Sequence, residues 1–185
     1  MKKLKSITVI GLLSLVVILS LTACGSEGKT TGSSASSVPE QTVKKETNNQ
    51  MGITFENDVL TSANAVIKLT GSEIGVDDSG KKILMIFFDF TNKKESETYR
   101  VAYAFQDYFS GTQNTGAVTE RLGLSSPPES KYEDLNDMFV KDVNPGATVK
   151  SVCTYELVDP SIPVDLIITN PYEEEITRKT YEVEF

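Results

Sequence analysis

The chain contains no histidine. That one absence removes Ser-His-Asp and Cys-His nucleophile pairs, imidazole acid–base catalysis and histidine-ligated zinc or copper. Cysteine is almost as scarce, with only Cys24 and Cys153 in 185 residues, so no thiolate cluster can form. Positive charge is sparse as well. The formal net charge is −8, no run of five basic residues occurs, and Lys81-Lys82 and Lys93-Lys94 read as turn residues flanking a strand. An acidic chain of this kind is repelled by nucleic acid and by anionic surfaces, so nucleic-acid binding is excluded. Long apolar runs are missing too. The one extended apolar stretch, residues 7–21, would rise about 22 Å as a helix, short of a ~30 Å hydrocarbon core.

That stretch is the most informative part of the chain. It follows a basic start, Met1-Lys2-Lys3-Leu4-Lys5, and ends in Leu21-Thr22-Ala23-Cys24. A basic start, a short apolar segment and small residues before the cut describe a signal peptide rather than an anchor helix. The Leu-x-Ala-Cys pattern reads as a lipobox, with Cys24 lipidated and cleavage in front of it, in preference to an ordinary secretory signal with an incidental cysteine. Two or three acyl chains hold a protein stably on a bilayer, which makes the lipid bilayer the first expected partner. Gly25 is not an inner-membrane retention signal. The Lys-, Asn- and Glu-rich usage points to a Gram-positive source, and so to the outer, extracytoplasmic face of the cell membrane. Loss of residues 1–23 removes three lysines and no acid, taking the formal net charge from −8 to −11.

Residues 24–50 are the lipidated cysteine and a tether. Its Ser, Gly, Thr and Lys/Glu content cannot bury enough apolar surface to offset ordering, so it is expected to be disordered. Its reach is roughly 28 Å at about 5–6 Å × √n. Residues 51–185 have the size of one domain.

The dominant period in that domain is two. Short apolar runs at residues 53–60 and 65–74 precede an Asp77-Asp78-Ser79-Gly80 turn, and residues 83–90, apolar on both faces, predict a central strand. Residues 101–109 alternate Val101, Tyr103 and Phe105 with smaller side chains and predict another. Asn144-Pro145-Gly146 leads into a strand at 147–158 that carries Cys153 as a small buried hydrophobe. Residues 164–169 and 179–185 complete the set. The helical candidate is at residues 129–139, and residues 110–135, with Pro127-Pro128, predict a long polar loop. About seven short strands with turn signals argue for an all-β antiparallel β-sandwich.

The 83–90 strand running into Thr91-Asn92-Lys93, the Phe105-Gln106 segment, Asn144-Pro145-Gly146-Ala147-Thr148-Val149 and Tyr155-Glu156-Leu157-x-Asp159 before Pro163-Val164 recur in a known group in that order. Residues 55–185 resemble an uncharacterised immunoglobulin-like domain family of small lipoproteins from low-GC Gram-positive bacteria. That domain is itself distantly similar in fold to a secreted immunoglobulin-like antigen of actinobacteria. The resemblance implies an immunoglobulin-like fold, and since the family has no assigned activity it implies no catalytic residues.

Several motifs come close to known chemistry and fail. Residues 75–82 nearly spell a phosphate loop, but Lys82 stands where a Mg²⁺-binding Ser or Thr is required, and Asp77 and Asp78 would repel phosphate. Two Ser-x-x-Lys matches, at Ser26 and Ser79, lack their Ser-Asp-Asn and Lys-Thr-Gly partners. The acidic groups Asp77/Asp78, Glu133/Asp134/Asp137 and Glu173/Glu174/Glu175 lack the spacing of a calcium loop. No catalytic residue, metal ligand or cofactor site is therefore expected. Tyr99, Arg100 and Tyr108 are the candidate ligand-binding residues, because Tyr and Arg anchor many interfaces. The resulting expectation is a monomeric, non-catalytic surface lipoprotein that binds a protein or cell-envelope ligand. The alternatives are a small-ligand or Ca²⁺ carrier serving a transporter and, behind it, an envelope hydrolase using a carboxylate pair.

Overall fold

A computed structural model describes residues 52–183. The signal segment, Cys24 and the tether lie outside the described residues, as do the last two residues of the expected terminal strand.

Residues 53–60 form a hairpin rather than a single strand. β1 (Thr54–Glu56) and β2 (Val59–Thr61) pair antiparallel around Asn57 and Asp58, whose φ angles are 51° and 64°. Two successive left-handed residues give the turn that matches strand twist, and Asn and Asp tolerate that conformation best after glycine. β3 (Ala65–Val76) and β4 (Lys82–Asn92) make a longer hairpin closed by the Asp77–Gly80 turn. The near-phosphate-loop sequence is thus a strand-to-strand turn. β5 (Tyr99–Arg100) runs into α1 (Val101–Gln106), followed by β6 (Phe109–Asn114), β7 (Thr119–Arg121) and β8 (Leu124–Ser125). Then come α2 (Glu129–Phe139), β9 (Asp142–Val143), β10 (Thr148–Glu156), β11 (Val164–Thr169) and β12 (Glu175–Tyr181).

The strands assemble into a six-stranded sheet, β1-β2-β3-β4-β10-β8, a four-stranded sheet, β12-β11-β6-β7, and the small pair β5-β9, all antiparallel. The described chain is mostly antiparallel β-structure with two helices, in keeping with the all-β class. β4 lies inside the larger sheet, as its two apolar faces require. Leu84, Ile86, Phe88 and Phe90 enter the main core, while Ile83 and Met85 form a second, smaller cluster with Val152, packed by Tyr132 and Leu135 of α2.

Both sheets contribute to the main core. Ile67, Phe88, Cys153 and Tyr155 come from the larger sheet, and Phe109, Val164, Leu166 and Ile168 from the smaller. Gly111 in β6 shows how closely they approach, since a Cβ there would sit 3.1–3.2 Å from the Tyr155 ring. The missing side chain is the space that the tyrosine fills. Cys153 is fully buried, and burial pushes its thiol up to about 12.

Three further expectations are corrected. Residues 101–109 are not a strand but α1 and the entry to β6. Val101, Ala104, Phe105 and Tyr108 recur at helical spacing and are all buried, while Tyr103, which an alternating strand would have placed inside, is 60 % exposed. The expected long loop at 110–135 contains β6, β7, β8 and the start of α2. The expected helix at 129–139 coincides with α2, which is irregular at Tyr132. The last strand begins earlier than its alternation suggests, at Glu175.

Candidate functional site

The predicted binding residues separate in the fold. Tyr108 lies inside, 4 % exposed, with its hydroxyl donating to Ser62 Oγ at 3.1 Å, so as folded it offers no surface to a ligand. α1 ends at Gln106, and the turn that follows, in which the Tyr108 N–H donates to the Phe105 carbonyl at 3.1 Å, carries the ring into the core. Tyr99 is half-buried against Phe90, its hydroxyl donates to Asp107, and Lys94 Nζ sits 4.6 Å above its ring. Burial, then the Asp107 carboxylate, raises the Tyr99 pKa, so the phenol stays protonated. Arg100 is partly exposed, forms a two-point pair with Asp142 at 3.1 Å on each arm, and lies over the Tyr103 ring. Hydrogen bonding to Arg100 holds the Asp142 carboxyl below its ordinary value. Such an exposed pair contributes little to stability and is largely a surface feature.

The more developed concave feature lies beside this patch. An open groove of about 820 Å³ is bounded by the β3–β4 turn, β8 with Ser126 and Pro127, α2, and Ala102 and Gln106 of α1. Concave surfaces of this size are the usual seat of ligand binding. Local hydrogen bonding builds its walls. Asp77 Oδ1 accepts the Ser79 N–H at 2.9 Å, the Ser79 hydroxyl at 2.7 Å and the Lys81 N–H at 2.9 Å. Its Oδ2 accepts the Ser125 hydroxyl at 2.9 Å, tying the turn to β8. Asp78 Oδ2 accepts the Glu129 N–H at 3.2 Å, which fastens the start of α2 to the same turn. Lys81 Nζ meets Glu156 at 2.7 Å. On the other flank of α2, Tyr132 donates to Glu73 and Lys131 pairs with the same carboxylate at 2.8 Å.

The Asp77 carboxyl is lowered to about 2, first by the Ser79 hydroxyl and next by the Lys81 amide. A depressed carboxylate pKa means that the turn is held in full above the ordinary Asp range and released as pH falls through about 2. A side-chain ¹³C NMR titration should therefore place the Asp77 midpoint near 2. A midpoint at the ordinary value of about 3.9 would show that the turn does not persist in solution.

Five carboxylates line the groove, from Asp77, Asp78, Glu129, Asp137 and Glu156, against the single ammonium of Lys81. Glu129 and Asp137 make no ion pair among the described residues. Leu124 and Val140 keep 45 % and 57 % of their surface exposed on its rim, above the buried Ala102 and Phe139. Among the described residues no three His, Cys, Asp or Glu side chains gather closely enough to hold a metal ion. In sequence, Asp77 and Asp78 belong to a turn and Asp137 to an acidic group without calcium-loop spacing. No local signal shows that β8, the turn and two helices bring them round one depression. Leu122 and Leu124 both stand out in this polar stretch, and nothing in their spacing tells that Leu122 enters the core while Leu124 stays on the surface.

Residues 40–170 match the family model of a domain of unknown function, DUF5067. Two solved structures share the fold. A provisionally assigned lipoprotein of Staphylococcus aureus subsp. aureus NCTC 8325 is 21% identical with a TM-score of 0.63, covering 71% of this chain and 92% of that one. A protein from Enterococcus faecalis solved by NMR is 21% identical with a TM-score of 0.59, covering 71% of this chain and 94% of that one. At such identity the likeness is one of fold. Among curated proteins, the type II methyltransferase M.HinfI of Haemophilus influenzae is 29% identical over 109 residues. The match takes in 54% of this chain and 29% of that protein, so the chain spans less than a third of the enzyme's length.

Proposed function

This chain belongs to the DUF5067 family, and we propose that it is a lipoprotein held on the outer face of the cell membrane by acylated Cys24. Its folded part is a non-catalytic, immunoglobulin-like β-sandwich that binds a protein or cell-envelope ligand. The observation that carries this reading is the Leu21–Cys24 lipobox, followed by a polar stretch and then one β domain. A structure of the same fold carries a provisional lipoprotein assignment, and its source and that of the second relative fit the low-GC Gram-positive origin suggested by residue usage. The absence of histidine supports a binding role over turnover. Three of the groove acids, Asp77, Asp78 and Glu156, already accept hydrogen bonds within the fold. The Arg100–Asp142 pair and the exposed Tyr103 ring, next to Tyr99 in sequence, offer a second surface for such a ligand.

The reading is tested by growing cells with radiolabelled palmitate. The wild-type chain should take up label and sediment with membranes, and protease added to intact cells should digest it. Cys24→Ala should lose the label and leave the membrane fraction. A wild-type chain that stays unlabelled and soluble inside the cell overturns the reading.

A further inference from the structure

Resting on that reading of a displayed binding domain, we propose that the groove between α2 and the β3–β4 turn is the docking site for a basic, extended segment of a partner polypeptide, with lysines or arginines flanking an apolar side chain. The charge pattern selects the partner. With five carboxylates against one ammonium, the groove attracts cationic side chains, and the net negative charge of the chain, −8 in full and −11 without residues 1–23, adds to that attraction. Anionic partners such as nucleic acid and acidic lipid headgroups are repelled by the same field. The carboxylates are dispersed round the walls and do not gather in threes, an arrangement that suits charges spaced along a chain better than one ion. Asp137 and Glu129 are the acids free to take a new partner, since Asp77, Asp78 and Glu156 already accept hydrogen bonds within the fold.

The apolar component is equally specific. Leu124 and Val140 are among the few large apolar side chains left exposed in the described chain, and both line this groove. An aliphatic side chain of the partner set against them covers surface that water now contacts, which is the main source of affinity in such clefts. Leu124 also belongs to β8, the terminal strand of the six-stranded sheet, with no further strand beside it among the described residues. β8 is only two residues long, so an extended segment laid beside it is held chiefly by its side chains. A peptide therefore fits the groove by charge and by hydrophobicity together.

The test uses the full chain and a fluorescent hexapeptide of alternating lysine and leucine, with its glutamate–leucine counterpart as control. Anisotropy should show saturable binding of the lysine peptide that weakens markedly between about 50 mM and about 500 mM salt, as screened charge contacts must. Amide chemical shifts should move at Leu124, Asp137 and Val140. The doubly neutralised variant, Glu129→Gln with Asp137→Asn, should bind about ten-fold more weakly while keeping the wild-type circular dichroism spectrum. Leu124→Ser should weaken binding independently of salt. The proposal is overturned if the lysine peptide fails to bind, if the glutamate peptide binds equally well, if the shifts map elsewhere, or if the neutralised variant binds unchanged. Because these measurements need no lipid, their failure leaves the Cys24 result standing, and the reverse holds as well.

Discussion

Replacement of Phe105 by alanine should lower the stability of the domain by about 3–5 kcal/mol, the range for a buried aromatic truncated where its surroundings cannot close in. The ring is fully buried. It lies 4.6 Å from Phe88 of the larger sheet, 4.7 Å from Phe109 of the smaller and 6.4 Å from Phe139 of α2. One side chain on a six-residue helix thus touches both sheets and the second helix, and none of these elements can move in without losing contact with another. Urea unfolding should show a lower midpoint at nearly constant slope, with Phe105→Leu much milder than Phe105→Ala. Since small domains are stable by about 5–15 kcal/mol, the alanine variant should be strained near physiological temperature. A loss below about 1 kcal/mol would mean that the ring is not shared in this way.

The second large effect is expected at Gln113, whose side chain is almost fully buried in β6. Its amide nitrogen donates to the carbonyls of Asp159 at 2.7 Å and Ile162 at 2.6 Å. Its amide oxygen accepts the N–H groups of Val158 at 2.8 Å and Asp159 at 3.2 Å. One amide therefore supplies the backbone partners for the bend between β10 and β11. Gln113→Ala leaves those groups without partners and should cost about 2–4 kcal/mol. Gln113→Glu is the sharper probe, because it turns two donors into acceptors facing carbonyl oxygens in a buried place. The folded state then favours the protonated acid, so the native pKa of the new carboxyl lies above its unfolded value of about 4.3. Stability is lost above that native pKa and restored as pH falls toward the unfolded one. Urea midpoints at neutral pH and at about pH 4 should show recovery for the glutamate variant and none for the alanine variant. Equal pH dependence of the two would place Gln113 outside the bend.

The parts of the fold that could be read in advance are those where hydrophobicity does the placing. β4, β10 and β11 carry continuous or alternating apolar residues, and the Asp77–Gly80 and Asn144–Gly146 turns carry residues suited to tight reversals. α1 looks like a strand in sequence because Val101, Tyr103 and Phe105 satisfy a period of two, while Val101, Ala104, Phe105 and Tyr108 satisfy 3.6 equally well. Val, Tyr and Phe tip the local preference toward a strand, and the choice shows only in the packing, where Ala104 and Tyr108 join Val101 and Phe105 in the core while Tyr103 stays outside. β6 escaped notice for a different reason. Its inward positions are Phe109, Gly111 and Gln113, where one side chain is absent to admit Tyr155 and another is polar to hold a bend. Its alternation is real in burial but hardly visible in hydrophobicity. The groove was hidden for the same cause, since its walls meet only after β8, α2 and the β3–β4 turn have come together.

The strand order also has a consequence for how the molecule comes into being. β4 sits between β3, its immediate predecessor, and β10, whose first residue, Thr148, lies well beyond its last, Asn92. A chain delivered N-terminus first, from a ribosome or through a membrane pore, can form the β1-to-β4 meander early. It then presents the free edge of its most apolar strand until Glu156 has emerged. Such an edge is a template for pairing with another copy, and joining it to a distant strand is slow. Crowded emergence, not equilibrium stability, is therefore the stage at which this protein is most exposed to aggregation, and any nascent-chain chaperone it meets should protect the 83–90 segment.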